Sequence, residues 1–290
     1  MNTKDNIRWK SEVLDEIFVA IASNQQLEDA LVFKGARVLS IRMGGGRQSL
    51  DLDSNLTSAF VQNHPDREAQ RTILEKELTH AIRRHFDRME PVQFKLIRLT
   101  VRTNPPRSHP MGWDAFNVRL NVNDLTMSNP SLPALEIDVA SPEQLLSTSV
   151  STILIGGHPV AAYTLERIAG EKLRAFLSSL PAYGVKVKKP GEAVRVKDLY
   201  DISRIQGIHG IRDFEFWRLV GQEFRIACQS RYIDCYGLPT FQEQREVTRK
   251  TYEQATIPKD IPFDQAEATL NGIVHFLGSE GLLPFEYPLP

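Results

Sequence analysis

The chain is poor in cysteine: Cys228 and Cys235 are the only two in 290 residues. No zinc-ligand spacing surrounds them and two thiols make no disulfide framework, so the expectation is a pair of inert thiols in a reducing cytoplasm. Long apolar runs are also missing. Nothing approaches the roughly 18 residues that a bilayer-spanning helix needs. The opening MNTKDNIRWKSEVLDE is polar, with acids interspersed, and lacks the apolar core of a signal peptide. These absences predict a cytoplasmic protein with no membrane partner. An excess of charge of one sign is absent too: 35 Lys and Arg stand against 36 Asp and Glu, for a net charge of −1. The field of the whole molecule therefore does not attract nucleic acid, and any RNA contact needs a local basic patch. The seven histidines form no ligand spacing, no Ser/His/Asp arrangement can be read, and there is no internal repeat. What remains, 41% hydrophobic and 24% charged, is ordinary globular material. The length suits one large domain or two medium ones.

Hydrophobic periodicity divides the chain near residue 160 into a core, 1–160, and a helical lobe, 161–290. Residues 8–30 read as helix, on the spacing of Ile17, Phe18, Ile21 and Leu27. LVFKG is a short strand ending in Gly35, ARVLSIRM is a helix, and GGGR breaks it. SLDLDSNL alternates, with Leu50 and Leu52 on one side and Arg47, Ser49, Asp51 and Asp53 on the other. DREAQRTILEKELTHAIRRHFDRM is a long amphipathic helix. VQFKLIRLTVRT, WDAFNVRLNVND and LPALEIDVA read as half-buried strands. Beyond residue 160, YTLERIAGEKLRAFLSSL, DLYDISRIQG, FEFWRLVGQEFRIACQS and FDQAEATLNGIVHFLG are helical, and the Pro-rich tail GLLPFEYPLP is irregular. The fold class expected is α+β, a mixed sheet followed by helices.

Asp51 and Asp53 are the centre of the chemistry. Carboxylates at i and i+2 on a strand share a face, and such a pair suits Mg²⁺, which takes one or two carboxylates together with substrate phosphates. They follow a strand, a glycine turn and a helix. That turn can offer backbone N–H groups and a helix N-terminus to a triphosphate. Lys34 and Arg37 bracket Gly35 with positive charge suited to phosphate oxygens. Gly44-Gly45-Gly46-Arg47 is either a second phosphate cradle or a link, and Ser49 is a phosphate or metal-water ligand or a solvent-facing serine. In LEIDV, Glu136 and Asp138 share the wet face and either can supply a further carboxylate. Lys172 lies on the apolar side of its helix, where it must reach water or meet an anion. Asp198 and Asp201, three apart on a helical face, are one such partner and a phosphate is another. Lys186, Lys188, Lys189, Arg195 and Lys197 stand against the single acid Glu192, a segment that tracks an RNA backbone or is a solvated loop.

Phe33-Lys34-Gly35 with Leu39-Ser40, then Ser49-x-Asp51-x-Asp53, Glu171-Lys172-Leu173-x-Ala175 and Lys197-Asp198-Leu199-Tyr200-Asp201 occur in an order that resembles the AbiEii/MenT-type nucleotidyltransferases, toxins of bacterial abortive-infection and type IV toxin–antitoxin systems. The resemblance covers roughly residues 30 to 205. It implies a polymerase-β-like nucleotidyltransferase core, a helical second lobe, an NTP substrate with one or two Mg²⁺ ions, and a cognate antitoxin. The tRNA 3′ end is the acceptor expected. By motif, Lys34 and Ser49 would contact phosphate, Asp51 and Asp53 would bind metal, and Lys172 would hold the triphosphate. Asp138 would be the further carboxylate, and Asp198, supported by Asp201, would belong to the rim. The chain departs from the family pattern at Ala36 and Arg37, where a second glycine and a Ser or Thr are usual, and at Ser179, near the place of an absent Arg. That departure keeps two other readings open: a silent module that binds NTP or a partner, and a transferase acting on a small molecule such as an antibiotic.

Overall fold

A computed structural model describes residues 3–46, 49–127, 132–188 and 193–290. The elements run α1 Thr3–Ala22, α2 Gln25–Ala30, β1 Leu31–Lys34, α3 Gly35–Arg42, β2 Leu52–Leu56, α4 Ser58–Asn63, α5 Arg67–Phe86, β3 Phe94–Asn104, β4 Ala115–Asp124, β5 Leu135–Ala140, β6 Val150–Ile155 and β7 His158–Tyr163. The helices α6 Leu165–Ser178, α7 Pro181–Lys186, α8 Val196–Ile208, α9 Phe214–Gln229, α10 Leu238–Phe241, α11 Arg245–Gln254 and α12 Phe263–Ser279 follow. The chain makes two compact units: Met1–Glu143 with Val150–Tyr163, and Gln144–Ser149 with Thr164–Pro290.

The first unit is built on a seven-stranded mixed sheet in the order β3-β4-β5-β2-β1-β7-β6. β2 runs antiparallel to β1 and parallel to β5, and β1 runs parallel to β7. Alternation decides its faces. Phe116, Val118, Leu120 and Val122 of β4 are buried, whereas Arg119, Asn121 and Asn123 are exposed. Leu135, Ile137 and Val139 of β5 are buried, and Glu136 and Asp138 between them are exposed. α5 packs on β3, and α1 packs on α5, β6 and β7. Trp9, Val13, Ile17 and Phe18 bury one stripe of α1, and the ring of Phe18 lies 4.5 Å from that of Phe33 in β1.

The helix expected over 8–30 is two. α1 ends at Ala22, and Asn24 starts α2 by accepting a hydrogen bond from the Leu27 N–H through its side chain. β6 and β7 are not anticipated from the sequence. They form a hairpin on Gly156 and Gly157, with φ of 56° and 85°, the left-handed pair that a tight two-residue turn requires.

In the second unit, α6 and α9 approach closely at Gly170. A Cβ there would stand 2.7 Å from the backbone nitrogen of Phe224. Beside that contact lies a buried charge network. Arg167 donates to Glu223 at 3.0 Å and to Glu171 at 2.9 Å, and Ser149 donates to the other Glu223 oxygen at 2.5 Å. Cys228 and Cys235 are buried and unbridged. Burial pushes the Cys228 thiol well above its usual range and that of Cys235 up to about 12. Among the described residues no helix is long and apolar enough to cross a membrane.

Candidate functional site

Strand register in the first unit assembles side chains that are distant in sequence. Lys34 pairs with Asp53, Asp53 with Asp138, Asp138 with Asn117, and Asn117 with Arg102. Partners across a ladder project to the same side, so these five residues form one row across β1, β2, β5, β4 and β3. Asp53 and Asp138 occupy the adjacent strands β2 and β5 in the interior of the sheet. The Asn117 amide donates to Oδ1 of Asp138 at 3.0 Å, which fixes that carboxylate.

Gly35 holds the other side of Asp53. Its φ is 79°, and a Cβ built on it would stand 2.1 Å from Asp53 Oδ2 and 3.0 Å from Asp53 Cβ. Glycine is therefore required twice, by backbone angle and by the carboxylate lying against its Cα. Gly35 opens α3. The cap residue, Lys34, makes no side-chain capping bond, so the first N–H groups of the helix are not closed off by it. The Lys34 ammonium lies 3.3 Å from Glu143 Oε1 and 5.8 Å from the centroid of the Tyr163 ring. Glu143 is fixed in turn: the Tyr163 hydroxyl donates to its Oε2 at 3.2 Å, and the Asn55 amide donates to that hydroxyl at 2.9 Å. Asn55, Tyr163 and Glu143 carry no sequence motif; only the fold brings them to Lys34.

Several expected residues stand in other surroundings. β2 begins at Leu52, so Asp51 lies in the loop just before it, exposed. Ser49 is buried and its hydroxyl donates to the Asp51 carbonyl at 3.2 Å, which breaks the face predicted to join Ser49, Asp51 and Asp53. Arg37 is also buried. Its guanidinium pairs with Asp15 of α1 and donates to the Ser49 carbonyl at 2.7 Å. That geometry makes Arg37 a tether between α1 and the loop before Asp51. Gly44 and Gly45 close α3: their N–H groups bond to the carbonyls of Ile41 and Ser40, the pattern of a left-handed helix stop. Arg47 lies outside the described residues.

In the second unit Lys172 is buried between two acids. Its ammonium donates to Asp198 at 3.0 Å and to Asp201 at 2.6 Å, tying α6 to α8. Arg195 donates to the second Asp198 oxygen at 2.6 Å. Burial pushes the Asp198 carboxyl up, but the charges of Lys172 and Arg195 and their hydrogen bonds outweigh it and hold the group below the usual carboxylate range. In this arrangement Lys172 takes the Asp198/Asp201 pairing, one of the two partners its place on the helix allowed. The basic segment is likewise partly neutralised. Lys186 bonds to Asp234 at 2.6 Å and to the Tyr287 carbonyl at 2.7 Å, and Arg195 is spent on Asp198. Lys188 is exposed, and Lys189 lies outside the described residues.

Among the described residues no three His, Cys, Asp or Glu side chains converge on one point. Mg²⁺ does not demand such a cage, because it usually keeps water and substrate phosphates among its ligands. Hard oxygen donors on adjacent strands, with a glycine leaving Asp53 its space, fit that cation.

A family model described as the nucleotidyl transferase AbiEii toxin of a type IV toxin–antitoxin system matches residues 16–271. Among solved structures, that of JHP933 from Helicobacter pylori is similar over 97% of this chain and 94% of its own, with a TM-score of 0.52 and 12% identity. A candidate nucleotidyltransferase from H. pylori is similar over 97% of both chains, also with a TM-score of 0.52 and 12% identity. At such identity the likeness speaks for the fold. No curated protein sequence matches the chain.

Proposed function

Because the chain belongs to the AbiEii nucleotidyltransferase toxin family of type IV toxin–antitoxin systems, we propose that it transfers a nucleotide from an NTP to the 3′ end of tRNA, in an Mg²⁺-dependent reaction that a cognate antitoxin restrains. The observation that carries this reading is the row Lys34–Asp53–Asp138, with Gly35 shaped around the Asp53 carboxylate. Asp51 and Asp53 hold one or two Mg²⁺ ions, and Asp138 is the further carboxylate beside them. Bound there, the cation supplies neutralisation of the triphosphate's charge. Lys34 and the first N–H groups of α3 bind phosphate oxygens. The acceptor's hydroxyl oxygen forms a bond to the α-phosphorus as pyrophosphate leaves, and Asp138 takes the hydroxyl proton. Lys172, Asp198 and Asp201 support the helical unit.

The test is incubation of the protein with each labelled NTP, Mg²⁺ and bacterial tRNA, resolved on a denaturing gel. Label moves onto tRNA with the wild type and not with Asp51→Ala or Asp53→Ala. Label on the protein itself, on a small hydroxyl compound, or nowhere would overturn the tRNA acceptor. Full transfer by both variants would overturn the metal assignment.

A further inference from the structure

β4 carries an unusual side-chain set for an interior strand. Along its exposed face run Arg119, Asn121 and Asn123, after Asn117 in the acidic row. Asparagine is depleted in strands because it packs poorly on a pleated surface and competes for backbone hydrogen bonds. Three on one face of one strand lower strand propensity without burying anything. The neighbouring strand β3 adds Lys95, Arg98 and Arg102, all exposed. Register sets Arg98 opposite Asn121, Lys95 opposite Asn123 and Arg102 opposite Asn117, so these side chains form one surface. Among the described residues none of these four cations is in an ion pair, whereas Arg67, Arg71, Arg167, Lys172 and Lys186 all are. Keeping an edge strand from pairing with another chain explains charge on β3. It does not explain β4, which is covered by β3 on one side and β5 on the other.

We propose that the exposed face of β3 and β4 is the platform on which the RNA acceptor lies, its phosphates met by Lys95, Arg98, Arg102 and Arg119 and its sugar or base edges by Asn121 and Asn123. The surface ends at the acidic row: Arg102 and Asn117 stand in the same cross-strand line as Asp138 and Asp53. An RNA strand held there is led to the carboxylates that would repel it if no basic surface preceded them. Asparagine amides give a tolerant set of donors and acceptors, and guanidinium groups pair with phosphate in a forked geometry. This inference rests on the proposed transfer to RNA for its occupant, but it concerns binding, which can be measured without chemistry.

The experiment is the salt dependence of the full chain's affinity for end-labelled bacterial tRNA, followed by fluorescence anisotropy without NTP. Arg98→Gln/Arg102→Gln/Arg119→Gln weakens binding at low salt about tenfold or more and lowers the slope of log K against log salt by roughly 2 to 3. The triple lysine variant at the same positions keeps most of the slope, and a thermal melt shows both variants folded. Wild-type affinity and slope in the folded glutamine variant would overturn the proposal, as would an equal loss in the lysine variant. If wild-type chain binds tRNA through these residues yet transfers no label to it, the transfer reading fails and the platform stands. If label moves onto tRNA equally well with the glutamine variant at limiting tRNA, the platform fails and the transfer reading stands.

Discussion

Gly35 is the position at which one atom decides most. Alanine there must accept a left-handed φ of 79°, a strain of about 1–2 kcal/mol, and its Cβ would overlap the Asp53 carboxylate. The strand atoms of Asp53 cannot withdraw easily, since Asp53 is paired with Lys34 on one side and Asp138 on the other. Gly35→Ala is therefore expected to lower the unfolding free energy by about 2 kcal/mol or more, and to lower transfer further than the folded fraction explains. Denaturant titration and the transfer rate at a temperature where the variant is fully folded check the two parts. The cysteines make a plainer case. Buried thiols whose ionisation is pushed upward by desolvation react slowly. A thiol-reactive dye at neutral pH should label neither Cys228 nor Cys235 in the native chain and both in denaturant.

At the scale of elements, the tie between α6 and α8 sets a sign that can be tested. Lys172→Met removes the ammonium that Asp198 and Asp201 share in a buried place and leaves Arg195 on Asp198, at a cost of about 3–5 kcal/mol near neutral pH. In the wild type the folded-state pKa of Asp198 lies below that of the unfolded chain. Its contribution is therefore present above the ordinary carboxylate range and lost as pH falls below it. The penalty of Lys172→Met should thus shrink in acid, where Asp198 protonates in the variant before it does in the wild type. Urea titrations at neutral pH and near pH 4 measure both. Loss of transfer in a lysine variant would then say little about phosphate contact unless the variant is shown to be folded.

The same elements show what was legible in the sequence. The Lys34-Gly35 turn and the placement of Asp53 on β2 could be read because each is local, whereas Asp51, expected on the same strand face, stands in the loop before β2. Asp138 could be picked as a candidate from the alternation of LEIDV, but its place beside Asp53 depends on the parallel pairing of β2 with β5, a long-range choice with no local signature. The β6–β7 hairpin did have a signature, Gly156-Gly157 between two β-rich runs. Ser49 stands elsewhere because the alternation read from Arg47 onward starts only at Leu52, and Arg37, read from its place beside Gly35, turns inward to Asp15 and the Ser49 carbonyl. A buried guanidinium closing on a backbone carbonyl cannot be told from a phosphate ligand by residue type.

For the whole molecule, the metal and the fold separate. Each unit has its own buried apolar core, and no convergence of three metal-ligand side chains occurs among the described residues. A cation held by Asp51 and Asp53 would be a guest of the substrate, completed by phosphate oxygens, rather than a structural staple of the kind that unfolds a small domain when removed. Chelation with EDTA should therefore abolish transfer while moving the thermal midpoint by no more than about a degree, within the few degrees that 1 kcal/mol produces in a chain of this size. Adding Mg²⁺ and NTP together should raise the midpoint, since a ligand at about 100 times its dissociation constant adds about 2.7 kcal/mol to the native state. Either alone should raise it less, because the carboxylates and the triphosphate repel one another until the cation stands between them. Asp51→Ala should keep the wild-type midpoint without ligands and lose the increment that Mg²⁺ and NTP add together. A midpoint that falls steeply on chelation would instead make the metal part of the fold, and an increment retained in the variant would place the nucleotide elsewhere.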